Sequence, residues 1–209
     1  ASVDGGIGTD TVQVLGTTLV DTDFTNFVNV EVLEFAGAAA HVVTLGTESN
    51  QAFATGITIT ANLAASSLTV NGALSAVAVN ATGTNNADTL VGGSAADVLS
   101  GGAGADVLTG NAGVDSLIGG TGNDTIVGAS DDALIDGDNG TVVGGGVADV
   151  LQVGASFNDV SNAQIVNIEQ VVMTVKTGSL LNLGDQVEGF TITGSDSSTV
   201  LGETGQDTI

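Results

Sequence analysis

Aspartate returns every nine residues at Asp88, Asp97, Asp106, Asp115 and Asp124, and a large aliphatic residue follows two positions later each time, at Leu90, Leu99, Leu108, Leu117 and Ile126. Five nonapeptides thus run head to tail from Gly83 to Val127, and three template positions hold in all five registers at once. Six turn residues followed by a short strand carry the chain halfway round a flattened coil, so that two nonapeptides complete one turn. Glycine permits the left-handed backbone such turns need and lets carbonyl groups approach closely. Rungs on the same side then stack at about 4.8 Å. This places Asp88, Asp106 and Asp124 along one edge and Asp97 and Asp115 along the other.

Carboxylates stacked at that spacing repel by roughly 3 kcal/mol per neighbouring pair at an effective dielectric near 20. A bare stack therefore opposes its own folding, and a hard divalent cation reverses the sign. Calcium suits the chemistry, because it accepts six or more oxygen ligands in flexible geometry whereas magnesium requires a smaller octahedral shell. The chain has no Cys and a single His, so no soft ligand cluster competes.

Gly101 to Thr109 (GGAGADVLT) and Gly119 to Val127 (GGTGNDTIV) satisfy the template G-G-x-G-x-D-x-U-x fully, U being a large aliphatic residue, and there the chain resembles the RTX family of secreted calcium-binding repeat proteins. The resemblance implies an all-β, right-handed parallel β-roll or β-solenoid with calcium in its turns, accompanied by irregular β segments. It implies that each ion lies between turns two nonapeptides apart, held by Asp carboxylates and carbonyls of the first four turn positions. Carried over, the ligands are Asp88, Asp97, Asp106, Asp115 and Asp124, with the turn residues Gly101, Gly102, Gly104, Asn111, Gly113, Gly120 and Gly122. Near-template turns add Asp10 in residues 5–13, Asp149 in 144–152 and Asp207 in 202–209. Thr84, Asn86 and Ala95 stand where glycine is expected, which makes the Asp88 edge the weakest.

A longer repeat overlies the short one. Asp10-Thr-Val-Gln-Val14 returns as Asp149-Val-Leu-Gln-Val153, and Val28-Asn-Val-Glu-Val32 as Val166-Asn-Ile-Glu-Gln170, at separations of 139 and 138 residues. Leu45 answers to Leu183, and Ile57-Thr-Ile-Thr60 to Phe190-Thr-Ile-Thr193. The 209 residues hold about one and a half copies of a module and are expected to be a piece of a longer chain. The expected organisation is the end of one module with a β insertion at 1–41, metal-free rungs at 42–82, a calcium-binding roll at 83–140 and a second copy from 141 to 209. Within the metal-free part, Ile59, Val70, Val79, Leu90 and Leu99 are expected to form one aliphatic series. The segments from Phe24 to Phe35 and from Phe157 to Val175 break the nine-residue period, gather four of the six Phe residues and are expected to pack over an end or a face of the coil. Asp131, Asp132 and Asp136 either complete terminal sites or serve as ordinary turn residues.

Composition narrows the function. Acidic residues number 24 against one basic residue, Lys176, for a net charge of −23, so nucleic acid and anionic membrane surfaces are poor partners. No apolar run approaches a membrane span, and direct membrane insertion is not expected. Hydrophobic residues make up 42% of the chain, enough for a core once the charge is neutralised.

Catalytic machinery is not expected. His41, the only histidine, excludes an HExxH site and is expected at a surface or strand end; GxSxG and GxxxxGK[ST] are absent. Glu31, Glu34 and Glu169 are expected to be exposed strand residues, and without Trp or Tyr there is no aromatic platform for a sugar. The resemblance, the long repeat and the scarcity of Lys and Arg together suggest an extracellular structural protein, a calcium-dependent S-layer or surface-fibre segment whose partners are copies of itself, with cell-surface polysaccharide as a further candidate. The alternatives are the calcium-folding accessory module of a secreted enzyme and the repeat region of a large adhesin, including the ice-binding kind.

Overall fold

The computed structural model describes residues 2–61, 67–129, 131–137, 149–154, 157–158, 164–174, 180–183, 191–194 and 199–202. The elements of the first half are β1 (Val3–Asp4), β2 (Thr11–Val14), β3 (Thr18–Leu19), β4 (Phe27–Val28), β5 (Val32–Phe35), β6 (His41–Thr44), helix α1 (Thr47–Ala52), β7 (Ile57–Ala61), β8 (Leu68–Asn71) and β9 (Val79–Thr82). The nonapeptides supply β10 (Thr89–Val91), β11 (Val98–Ala103), β12 (Val107–Thr109), β13 (Ser116–Thr121) and β14 (Thr125–Val127). Beyond them lie β15 (Leu134–Asp136), β16 (Val150–Val153), β17 (Phe157–Asn158), β18 (Ile165–Val166), β19 (Gln170–Met173), β20 (Leu180–Leu183), β21 (Thr191–Thr193) and β22 (Thr199–Gly202).

The chain coils as a parallel β-solenoid. Alternate nonapeptide strands stack into two opposed sheets, one of nine strands in the order β21-β19-β16-β14-β12-β10-β8-β6-β3 and one of eight in the order β18-β15-β13-β11-β9-β7-β5-β2. The nonapeptide rungs are in the expected register: Leu90 faces Leu108, Leu108 faces Ile126, and Leu99 faces Leu117, each 18 residues on. Their side chains are fully enclosed between the sheets, whereas Val98 and Val107, one position earlier, point outward and are 45% and 39% exposed. This alternation is the two-residue period of a strand buried on one face. The coil continues without a break into the turns before the nonapeptides, where Val70 faces Leu90. One member of the expected aliphatic series is displaced: Ala81, not Val79, stands between Ile59 and Leu99, and Val79 pairs with Ile57. Both Val79 and Ala81 point inward, so the strand period is kept and the smaller residue takes the central rung.

The coil is not two-sided throughout. At the start of the chain it has three sides, because β1, β2 and β3 pair in turn with β4, β5 and β6 in three different sheets. On the next circuit α1 occupies the third side and contacts β4. Asp21, in the short 3₁₀ turn Asp21–Phe24, accepts the Ser49 and Glu48 amides at 2.9 and 3.2 Å and so anchors the start of α1. From β7 to β14 strands alternate between two sheets, and then a third side opens again with β17, β20 and β22.

Phe24, Phe27 and Phe53 meet edge to face at 5.1 to 6.5 Å where the coil narrows, consistent with the expected packing of the off-period segment over the coil. Phe35 and Phe157 depart from that expectation, since both belong to rungs, in β5 and β17. His41 also departs in part. It begins β6, but it is 1% exposed and its ring lies 5.1 Å from that of Phe35. The cause is period: His41, Val43 and Leu45 alternate inward, and the first inward position is filled by a histidine.

Leu108 is wholly buried in a nonapeptide rung and Val107 beside it is partly exposed. In calcium, Leu108→Ala should lower stability by about 2–5 kcal/mol and Val107→Ala by less than about 1 kcal/mol in urea denaturation; equal losses would contradict the assignment of inward and outward positions.

Candidate metal sites

Each nonapeptide strand starts just after its aspartate, so the pitch that stacks Leu on Leu also stacks Asp on Asp at the two edges of the coil. Both columns form as expected, and the contact between their members is specific. The backbone amide of each Asp donates to Oδ1 of the Asp one full turn later: Asp88 to Asp106 at 2.7 Å, Asp106 to Asp124 at 2.8 Å, and Asp97 to Asp115 at 2.8 Å. These side chains are essentially buried, with Asp88 at 2% exposed and Asp97, Asp106, Asp115 and Asp124 at 1% or less.

The columns extend past the nonapeptides. Asp124 donates its amide to Asp149 Oδ1 at 2.7 Å, and Asp149 to Glu169 Oε2 at 2.9 Å. On the other edge Asp115 donates to Asp132 Oδ1 at 3.3 Å, although Asp132 lies 17 residues on rather than 18. At the start of the chain Asp10 donates to Glu31 Oε2 at 2.9 Å, as Asp149 does to Glu169 in the second copy. Asp132 thus acts as a column member. Glu31 and Glu169 are more than exposed strand residues: each closes a column. The identical separation of Asp10 from Asp149 and Glu31 from Glu169 to within one residue was the sequence signal for this role. Asp207 lies outside the described residues.

Glycine governs the approach of oxygen to the columns. Gly102, Gly104, Gly113, Gly120 and Gly122 have φ between 104° and 135°, and Asn111 has φ 73°, so the last three nonapeptide turns take left-handed conformations at their second and fourth positions. Thr84, Asn86, Gly93 and Ala95, at the same positions of the first two turns, do not. A methyl group at Gly101 would collide with both Asp106 Oδ2 and the Gly119 carbonyl, and one at Gly92 with Asp97 Oδ2 and the Gly110 carbonyl. At each of these edges a carboxylate oxygen and a carbonyl of the following turn therefore converge on one point.

Of the two converging carboxylate oxygens, Asp97 Oδ2 accepts the Gly93 amide at 2.6 Å. Oδ2 of Asp106 and of Asp115 is buried and has no hydrogen-bond partner among the described residues. Asp88 differs, since Thr84 donates to both of its oxygens and Leu68 to one. Burial raises the carboxyls of Asp88, Asp97 and Asp115 above the ordinary range. It pushes Asp106, which also faces the charges of Asp124 and Asp88, to about 7, and Asp132 to about 6. Among the described residues no three acidic side chains gather closely enough to hold a metal by themselves, so carbonyls must complete any shell. Hard, anionic, buried oxygens lacking donors fit calcium in kind. Asp106, Asp115 and the turn carbonyls would hold it, and the ion would supply the positive charge that the columns lack.

Asp106→Ala should weaken calcium-induced folding more than Asp88→Ala, because Asp106 stands inside its column with an oxygen to offer while Asp88 is satisfied by Thr84 and Leu68. Calcium titrations followed by circular dichroism should show the larger midpoint shift for Asp106, and identical midpoints would contradict this. In chelator, a carboxyl whose folded value is raised favours the coil below its unfolded value and loses that contribution as pH rises through the folded value. For Asp106 the window runs from 3.8 to about 7. Metal-free protein should gain β signal as pH falls from about 8 to about 4; a loss of β signal over that range would refute it.

Residues 82–117 and 109–143 match the family model described as RTX calcium-binding nonapeptide repeat (4 copies). No curated protein and no solved structure matches the chain. Among the described residues no helix is long and apolar enough to cross a membrane. The matched residues hold the nonapeptide aspartates and the left-handed turns, and over them the chain is similar to the RTX calcium-binding nonapeptide repeat.

Proposed function

We propose that the chain is a structural repeat of a secreted or cell-surface protein, folded by calcium and assembling with copies of itself into an S-layer or surface fibre. The observation that carries this is that strand pairings of the first copy recur among the described residues of the second. β16 pairs with β19 as β2 pairs with β5, and β20 lies on β17 as β6 lies on β3. A unit that repeats without interrupting the pairing is suited to making something long.

Charge supports the same role. With a net charge of −23, copies repel one another until cations neutralise them, so one ion can control both folding and association. The role is mechanical rather than catalytic, in keeping with a sole histidine enclosed beside Phe35. Micrographs in millimolar-range calcium should show fibres or lattices that dissolve in chelator, with circular dichroism passing from β-structure to a largely disordered chain. Particles that stay monomeric in calcium at high protein concentration would overturn the assembly role.

A further inference from the structure

The first strands of the two copies differ in what covers them among the described residues, and the difference defines a surface. In the second copy, β15 and β16 receive the last nonapeptide turns of the first: Leu117 faces Ile135, Ile118 faces Asp136, Ile126 faces Leu151 and Val127 faces Gln152. The Asp124 amide enters Asp149 Oδ1, and the Gly120 amide enters the Gly137 carbonyl at 2.8 Å.

The first copy has the same receiving elements. Asn167, with φ 54°, donates its side-chain amide to Asp136 at 2.7 Å, and Asn29, with φ 53°, donates to Asp4 at 2.8 Å. The Gly137 amide enters the Val166 carbonyl, and the Gly5 amide the Val28 carbonyl, both at 3.0 Å. Asp4 therefore answers to Asp136, Gly5 to Gly137, Asp10 to Asp149, Val3 to Ile135 and Val12 to Leu151. Burial shows what the first copy lacks. Ile135 and Leu151 are 0% exposed, whereas Val3 and Val12 are only partly buried. β1 and β2 each pair on one side only among the described residues.

We infer that the β1–β2 edge is a docking surface for the Asp115–Val127 nonapeptide turns of a second copy of this module. Ile126 of that copy would cover Val12, Leu117 would cover Val3, and the Asp124 amide would enter Asp10 as it enters Asp149 here. The third side takes no part, because β17 begins its sheet in the second copy just as β3 ends one in the first. The inference rests on the structural-repeat role proposed above and specifies its interface.

The test extends the full chain. Residues 1–136, marked by Val12→Ile so that peptides from the two copies differ in mass, are joined to residues 5–209, which lets Gly5 follow Asp136 as Gly137 does. In calcium, hydrogen exchange across the downstream Thr11–Val14 should slow by at least about tenfold relative to the 209-residue chain. A direct fusion of two complete 209-residue chains, in which the nonapeptide turns do not lead into β1, should leave that exchange unchanged. Unchanged exchange in the first protein, or equal slowing in both, overturns the inference. Exchange is read in dilute monomer and does not respond to lattice formation. Protected β2 without fibres would therefore count against the assembly role alone, and fibres without protection against this interface alone.

Discussion

The hydrogen bond from each aspartate amide to the aspartate carboxylate one turn later is the contact on which the coil depends. It ties the edge of one rung to the next at a fixed distance, and it does so with a charged acceptor drawn out of water. A charge-assisted bond of this kind is stronger than a neutral one, but it consumes only Oδ1. The second oxygen of Asp106 and of Asp115 stays enclosed without a donor among the described residues. The same contact thus builds the column and leaves it electrostatically incomplete, which couples folding to an ion.

The rest of the architecture follows from that coupling. In the nonapeptides the core is narrow, one aliphatic residue per rung, and Leu90, Leu99, Leu108, Leu117 and Ile126 fill it between short strands. Each such side chain contributes about 1.5–3 kcal/mol by burial, and burial must also offset the raised carboxyls beside it. Glycine at the left-handed positions keeps the turns thin enough for the rungs to stack. Where that composition fails, at Thr84 and Asn86, the aspartate is satisfied by protein donors instead of facing an oxygen-lined gap.

The nonapeptide segment was fully legible in the sequence because its period is the period of the coil. Leu-on-Leu register and the two aspartate columns both follow from counting by nine. Elsewhere the rung length varies, and counting fails in identifiable ways. Ala81 carries too little hydrophobic weight to signal a core position, so Val79 stood in for it. Asp132 sits 17 residues from Asp115, and the extra residue is absorbed as Ala133 and Leu134 both donate to the Asp115 carbonyl. Glu31 and Glu169 were visible as a conserved spacing within the chain, but their use as column ends depends on the longer side chain reaching an amide that sequence does not locate. His41 was misjudged because an imidazole in an inward strand position has no pattern of its own.

The passage from three sides to two and back again has a mechanical corollary. In the second copy the sheet containing β17 begins before the one ending at β18 has stopped, and the nine-stranded sheet runs on past β18 to β21. No cross-section through the join meets the ends of all sheets together, as in staggered courses of brick. A load along the axis is handed from sheet to sheet by overlap, so no single seam has to bear it.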